Sequence, residues 1–348
     1  MELVKTDIRN LTKEEIKNYL IEMGESAFRA KQIYSWLWQK SAKSFEEMTN
    51  LSKGLREALN EQFVINAIKE DVTQKSTDGT VKTRFQLHDG HFMESVLIPV
   101  VDDNRFTVCV SSQVGCSLTC KFCATGQMKR LRNLDAGEIY DQVVMINKVC
   151  EEMYGYPLTN IVYMGMGEPL LAYKNVMQSI HHITSPEGLH MSPRRITVST
   201  AGIAKMIKKM ADDASKVNLA LSLHAADDVK RNEIMPINEQ NNLEAIMDSL
   251  NYYYQVTKNR ISYEYIAFQN FNDSIEDAKN LVKLCSQFPV RINIIEYNPI
   301  DGVDFVKADA DKIDRFAQYL KDHGVMATIR RSRGKDIDAA CGQLANKG

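Results

Sequence analysis

From residue 105 onward the chain alternates between strand-like and helix-like runs, and this rhythm restricts the fold more than any other feature. The strand-like runs are Arg105–Ser111, Asn160–Met164, Arg195–Ser199, Val217–Leu221, Ser262–Ala267 and Arg291–Ile295, with a later one at Met326–Arg330. Helical patterns lie between most of them, for example Ala136–Met153, Asn241–Gln255, Ile275–Gln287 and Asp309–His323. Alternating β and α units predict an α/β fold with a parallel sheet and helices outside it. Six strands and a stray seventh suit a partial (βα)6 barrel. Its chemistry would sit at the C-terminal ends of the strands.

The first hundred residues read differently. Thr12 with Glu15 three residues on is a capping box, opening a helix through Ile16, Leu20 and Met23. Helices are also expected over Phe28–Gln39 and Lys53–Phe63. From Asp71 to Pro99 apolar residues alternate, with hairpin turns at Asp78-Gly79 and Asp89-Gly90. The expected division is therefore an accessory domain over residues 1–100, helices then β-hairpins, and a barrel over residues 101–348. The accessory domain serves either packing or substrate positioning.

No run approaches the roughly 18 apolar residues of a membrane span, and the N-terminus lacks the apolar core of a secretory signal. A cytoplasmic protein with no membrane partner is expected. Seven cysteines is an odd number, and three of them crowd into eight residues, which argues for metal or redox chemistry rather than a disulfide framework.

That trio is Cys116-Ser-Leu-Thr-Cys120-Lys-Phe-Cys123, directly after the first barrel strand. Thiolates suit soft iron or zinc, and the short spacing lets one loop wrap a cubic cluster. Structural zinc takes four ligands, and this loop offers three. A four-iron cluster with one open iron fits the count; a zinc site completed by a distant residue such as Cys341 is the alternative. Cys150 and Cys285 sit at apolar helix positions and read as core thiols.

The spacing, with Phe122 before the third cysteine, resembles the radical S-adenosylmethionine (SAM) superfamily. The resemblance implies a [4Fe-4S] cluster on Cys116, Cys120 and Cys123, with SAM at the open iron. Gly165-Met-Gly167-Glu168-Pro169 follows the second strand, where that superfamily places a glycine and acid segment against the amino group of SAM. Glycines permit close backbone approach, and a carboxylate accepts from an ammonium. Ser199, the run Ser222-Leu223-His224, and Asn298 end further strands. By the same resemblance they contact the ribose, carboxylate and adenine of SAM.

The segment Asp336-Ile-Asp338-Ala-Ala-Cys341-Gly-Gln-Leu344 narrows the reading. Together with Val108-Cys109-Val110-Ser-Ser-Gln113 and Met235-Pro-Ile-Asn238 it resembles the RlmN and Cfr family of RNA methyltransferases over nearly the whole chain. Such enzymes methylate an adenine of 23S ribosomal RNA at an electron-poor ring carbon that cannot attack SAM as a nucleophile. The resemblance implies that one SAM methylates Cys341, and that a second yields a radical which activates that methyl for addition to the adenine. It further implies that Glu94 accepts the ring proton and that Cys109 frees Cys341 through a transient disulfide. Pro169 after Glu168, with Thr200-Ala201-Gly202, favours the branch acting at adenine C2, which also methylates transfer RNA. The Cfr-type C8 enzyme is the alternative. A glycyl-radical activase and a non-catalytic iron–sulfur RNA binder are more distant ones. A flavodoxin-type reductant and a monomeric state follow from the same likeness. Where the family often shows a Gly-Phe pair after the cluster, this chain has Lys129-Arg130.

A net charge of −2 looks wrong for an RNA-binding protein, since phosphate binding is driven by positive charge. The charge is unevenly spread, however. Residues 105–134, 188–211 and 323–335 carry fourteen Lys or Arg and no acid. Each stretch surrounds a motif named above, so they are expected to gather near one mouth of the barrel as a basic surface.

Overall fold

The computed structural model describes residues 5–347; Gly348 and the first four residues of the N-terminal stretch read above lie outside the described residues. A short strand β1 (Thr6–Asp7) leads into the capping box expected at Thr12. The Thr12 side chain accepts from the Glu15 amide, and the Glu15 carboxylate accepts from the Thr12 amide at 2.6 Å. This opens α1 (Lys13–Glu22), followed by α2 (Phe28–Trp38) and α3 (Lys53–Gln62). Strand β2 (Phe63–Val64) then pairs in parallel with β1. A buried ion pair fastens this unit to the barrel: Arg9 donates to Asp141 at 2.9 Å and also holds Asp7.

The hairpin strands β3 (Lys69–Lys75), β4 (Val81–Gln86) and β5 (Phe92–Val100) turn at the two Asp-Gly pairs. The next strand, β6 (Arg105–Cys109), pairs antiparallel with β5. The hairpins therefore belong to the same sheet as the barrel, and a boundary at residue 100 falls between hydrogen-bonded neighbours. Hydrophobic period within each segment carries no signal for pairing between segments, which is why the sequence alone divides the chain there.

Two short strands, β7 (Gln113–Val114) and β8 (Arg132–Asn133), pair across the base of the cysteine loop. The alternation then runs α4 (Ala136–Tyr154), β9 (Asn160–Tyr163), α5 (Tyr173–Thr184), β10 (Ile196–Thr200), α6 (Ala204–Asp212) and β11 (Asn218–Ser222). It continues through α7 (Asp228–Ile234), α8 (Leu243–Thr257), β12 (Ile261–Ala267), α9 (Ile275–Leu284), β13 (Val290–Glu296), α10 (Ala310–Asp322) and β14 (Met326–Arg330). The strand order is β14-β13-β12-β11-β10-β9-β6-β5-β4-β3, parallel from β6 to β14. The stray seventh strand is thus the parallel edge of an open barrel.

Registers decide what faces inward. Leu221, Tyr263 and Ile292 align in one row, are fully buried, and lie under the helices, where the Tyr263 hydroxyl reaches Met247 of α8. Each such side chain contributes about 1.5–3 kcal/mol by leaving water. The next row, Ser222, Glu264, Asn293 and Thr328, is polar and faces the lumen. Among the described residues no helix is long and apolar enough to cross a membrane.

Candidate active site

The loop carrying Cys116, Cys120 and Cys123 is closed by tight backbone approaches. Gly115 has φ +75°, and a Cβ there would stand 2.2 Å from the Lys129 carbonyl oxygen. The three cysteines pack against Leu118, Phe122, Ala201, Ile234, Met235 and Ile266, an apolar nest at the C-terminal strand ends. All three are free thiols. Burial pushes each of them up, Cys116 to about 11, and in Cys120 the other two sulfurs add to the effect. Unaided, such thiols ionise poorly; positively charged iron is what a trio of half-buried sulfurs lacks. The donor set therefore fits an iron–sulfur cluster. Among the described residues no His, Cys, Asp or Glu group converges on a single ion.

Beside the loop, Gly167 has φ +95°, and a Cβ would stand 2.4 Å from the Gln113 side chain, so glycine is required there. The Glu168 amide donates to Gln113 Oε1 at 2.8 Å. Its buried carboxylate accepts from the Ala201 amide at 2.8 Å and from the Leu170 amide at 3.0 Å. Burial pushes the carboxyl up to about 7 despite those bonds.

Further round the barrel, Ser199 and Ser222 bring their hydroxyls within 3.2 Å of one another. His224 has φ 55°, and its Nδ1 accepts from the Ile266 amide at 3.1 Å, which leaves the proton on Nε2. Burial draws its pKa down to about 3, so the ring is a neutral donor. Leu223 is fully buried, with its amide on the Glu264 carbonyl at 3.0 Å and its own carbonyl accepting from Arg231. Asn298 sits on the loop after β13 and donates to the Cys341 carbonyl at 3.3 Å.

The C-terminal segment is held across this mouth from several sides. The Ala124 amide donates to the Gly342 carbonyl at 2.7 Å, and the Thr125 hydroxyl donates to the Leu344 carbonyl at 2.6 Å. The β3–β4 turn grips its start: Gly334 donates to Asp78 at 2.9 Å, and Ser76 donates to Asp336 at 2.6 Å. Cys341 keeps solvent access, yet surrounding protein pushes its thiol up, with Glu264 and Cys123 contributing. Cys109, at the end of β6, is pushed up to about 12 by burial and then by the neighbouring Cys341 sulfur. The two thiols are neighbours without a disulfide.

Glu94 lies in β5 with none of its surface exposed, and is not the solvated face residue that a lone strand acid usually is. Its Oε2 accepts from the amides of Ala345 and Asn346 at 2.9 and 3.0 Å. Its Oε1 stands 3.6 Å from Lys82 Nζ and has no hydrogen-bond partner among the described residues. Glu94 thus touches the segment that carries Cys341. Cys150 is fully buried in α4, as read, while Cys285 is half-buried.

Several residues at this mouth have contacts that the sequence does not foretell. Ser111 donates to the Glu94 carbonyl at 2.6 Å and accepts from the Met166 amide at 2.9 Å, joining β5 to the glycine loop. Lys82 sits in an ordinary strand pattern, Gln113 figures only as part of a motif, and Arg231 lies among Asp228, Lys230 and Glu233.

One expectation is corrected. The basic stretches do not all gather at one mouth: Arg194 and Arg195 precede β10, at the N-terminal ends of the parallel strands, and Arg105 likewise begins β6. A contiguous stretch of a βα unit crosses the sheet, so nearness in sequence does not keep its charges at one end. Lys121 lies within the cysteine loop, Lys129, Arg130 and Arg132 follow it, and Arg330, Arg331, Arg333 and Lys335 end or follow β14, which places these two groups at the site's mouth. Some of that charge is neutralised there, since Arg331, Lys335 and Lys307 share Glu296, and Arg132 holds Asp89 and Glu138.

Residues 6–65 match the family model described as the ribosomal RNA large subunit methyltransferase N-terminal domain, and residues 110–284 match the radical SAM superfamily. A probable dual-specificity RNA methyltransferase RlmN of Cytophaga hutchinsonii is 57% identical over 99% of this chain and 94% of its own. Its counterpart in Flavobacterium psychrophilum is 53% identical over 100% of this chain and 99% of its own. The crystal structure of a radical SAM methyltransferase from Sphaerobacter thermophilus is similar at a TM-score of 0.92 and 38% identity, covering 98% of this chain and 100% of that one.

Proposed function

We propose that this chain, which belongs to the RlmN family of radical SAM dual-specificity RNA methyltransferases, methylates C2 of an adenine in 23S ribosomal RNA and of an adenine in transfer RNAs. The observation that carries the reading is the convergence at one mouth: Cys341, Cys109 and the Glu94 carboxylate all meet the segment clipped onto the cysteine loop. Pro169 after Glu168 supports C2 over C8.

In this reading Cys116, Cys120 and Cys123 hold a [4Fe-4S] cluster. SAM bound there supplies the methyl group and, from a second molecule, the radical that activates it. Gly167 and Glu168 meet the ammonium of SAM, while Ser199, Ser222, Leu223, the Nε2–H of His224, and Asn298 meet its remaining polar groups. Cys341 carries the methyl as a thioether, formed by its thiolate. Glu94, whose carboxylate lies against the segment that carries Cys341, takes the ring proton. The Cys109 thiolate then attacks the Cys341 sulfur, and the S–S bond forms as the S–C bond breaks. The electron pair and a proton go to the carbon left on the RNA as methyl. Two electrons from the reductant reopen the disulfide. Lys121, Lys129 and Arg130 are exposed and form no salt bridge among the described residues, so they meet phosphate without first breaking an ion pair. The protein works as a monomer in the cytoplasm on electrons from a flavodoxin-type reductant.

Nucleoside mass spectrometry of ribosomal and transfer RNA, from cells with and without the protein, tests this. 2-Methyladenosine that depends on the protein is expected; 8-methyladenosine instead would move the assignment to the C8 branch.

The raised Glu168 carboxyl gives a pH signature. Below about 7 it is protonated in the ligand-free protein, and the neutral acid does not pair with an ammonium. SAM affinity should therefore fall as pH drops from about 7 toward 5, approaching tenfold per unit, and binding should release a proton. Calorimetry in buffers of different ionisation enthalpy measures this. Affinity that stays flat over that range would remove Glu168 from the ammonium site.

A further inference from the structure

Arg231 of α7 has none of its surface exposed, and its guanidinium rests entirely on neutral oxygens. Nε donates to the Leu223 carbonyl at 3.1 Å, and Nη2 donates to the carbonyls of Ala201 at 2.6 Å and Ser222 at 3.2 Å. Nη1 donates to the side-chain carbonyl of Asn238. The acid coupled to it, Asp228, is reached only through Asn238, whose amide nitrogen donates to Asp228 at 2.8 Å. A cation buried this completely is costly unless an opposite charge stands close by.

The neighbours show where that charge belongs. Ala201, whose carbonyl Arg231 holds, packs in the same apolar nest as Cys120. The Lys121 amide donates to the Ile234 carbonyl at 3.0 Å, one turn further along α7. Burial draws Arg231 down to about 10, and the charge that opposes this most is the Cys120 sulfur, ahead of Asp228.

We propose that Arg231 is the buried counter-charge of the iron–sulfur cluster, a positioning residue that favours the reduced cluster while locking the ends of β10 and β11 beside it. The proposal rests on the reading of Cys116, Cys120 and Cys123 as cluster ligands. Reduction moves one electron from a one-electron donor of flavodoxin type onto the cluster. The site becomes more negative by one charge, with no proton taken up and no bond broken. A fixed cation in a dry nest stabilises that added charge far more than water-screened lysines do. The same guanidinium ties together three carbonyls beside Ser222 and His224, so cofactor-facing strand ends and electrostatics share one side chain.

Anaerobic reconstitution of wild type, Arg231→Gln and Arg231→Lys with iron and sulfide, followed by iron analysis and an EPR-monitored redox titration, tests this. Arg231→Gln is expected to load iron and to show a roughly tenfold lower reduced-to-oxidised ratio at a fixed potential, about 59 mV toward negative values. Arg231→Lys keeps the charge but not the fork, and should titrate close to wild type. Loading by the Lys variant with failure of the Gln variant also supports the charge role. Three results overturn it: Gln titrating as wild type, Gln and Lys shifted equally, or neither variant loading iron. A wild-type protein that binds no cluster would instead refute the ligand assignment, and this proposal with it.

Discussion

Cys109→Ala is expected to leave the protein covalently fastened to its RNA. Cys109 lies at the end of β6, 8% exposed, and the Cys341 sulfur is close enough to help push its thiol up. It is the one cysteine outside the loop that shares this electrostatic contact with Cys341. Removing its sulfur deletes a small buried atom between Val96 and Val162, its partners across the sheet. The folding cost is therefore expected to stay near 1 kcal/mol. Chemistry would proceed to the adduct and stop, because no second thiol remains to take the Cys341 sulfur. Denaturing gels of the variant incubated with RNA, SAM and reductant should show a slow RNA–protein band that ribonuclease removes. Multiple turnover without that band would deny Cys109 its role.

Glu94→Gln should produce the second large loss. One oxygen of Gln still accepts from Ala345 and Asn346, so the clamp on the C-terminal segment survives in part. The charge does not survive, and Lys82, whose side chain is 4% exposed, is left without its partner. Breaking a buried pair from one side costs about 3–5 kcal/mol. Loss of a general base lowers turnover by about a hundredfold or more. The two effects separate in the double variant with Lys82→Met, which removes the stranded cation. Thermal stability should recover in the double variant while turnover remains low. If turnover recovers along with stability, Glu94 is a clamp and the base lies elsewhere.

Residues that act through local chain pattern were legible in the sequence. The Thr12 capping box, the Asp78-Gly79 and Asp89-Gly90 turns and the strand-like runs depend on near neighbours, and they form close to where they are expected. The cysteine trio was legible for the same reason, since one loop holds it. What the sequence does not show is any feature made by distant segments. Asp78 reads as a turn residue, yet it also accepts from the Gly334 amide, 256 residues away. Lys82 reads as a strand lysine, but its partner Glu94 is one strand over, and only burial makes the pair matter. Arg231 lies among Asp228, Lys230 and Glu233, and nothing in that run foretells that its partners are the Asn238 side chain and carbonyls at the ends of two strands. The misplaced basic stretch around Arg194 has the same origin, because the sequence records order along the chain but not which end of a strand a residue occupies.

The neutral total charge likewise resolves into local balances. Glu296 at the end of β13 gathers Lys307, Arg331 and Lys335, and these hold its carboxyl down at about 2. A carboxylate held so low keeps this knot intact at every pH at which the protein would meet RNA. One negative charge against three positive ones leaves this cluster with a net positive charge, although the chain as a whole is not positive.

The proposed transfer of a methyl carbon from Cys341 to the adenine is tested most directly by the trapped Cys109→Ala complex. Digestion of that complex with nuclease and protease, followed by tandem mass spectrometry, locates the linkage. The prediction is a peptide spanning Ala339–Leu344 with an adenine nucleotide joined to the Cys341 sulfur through a single carbon at C2. A nucleotide on any other residue, or RNA methylated while Cys341 stays an unmodified thiol throughout, would contradict it.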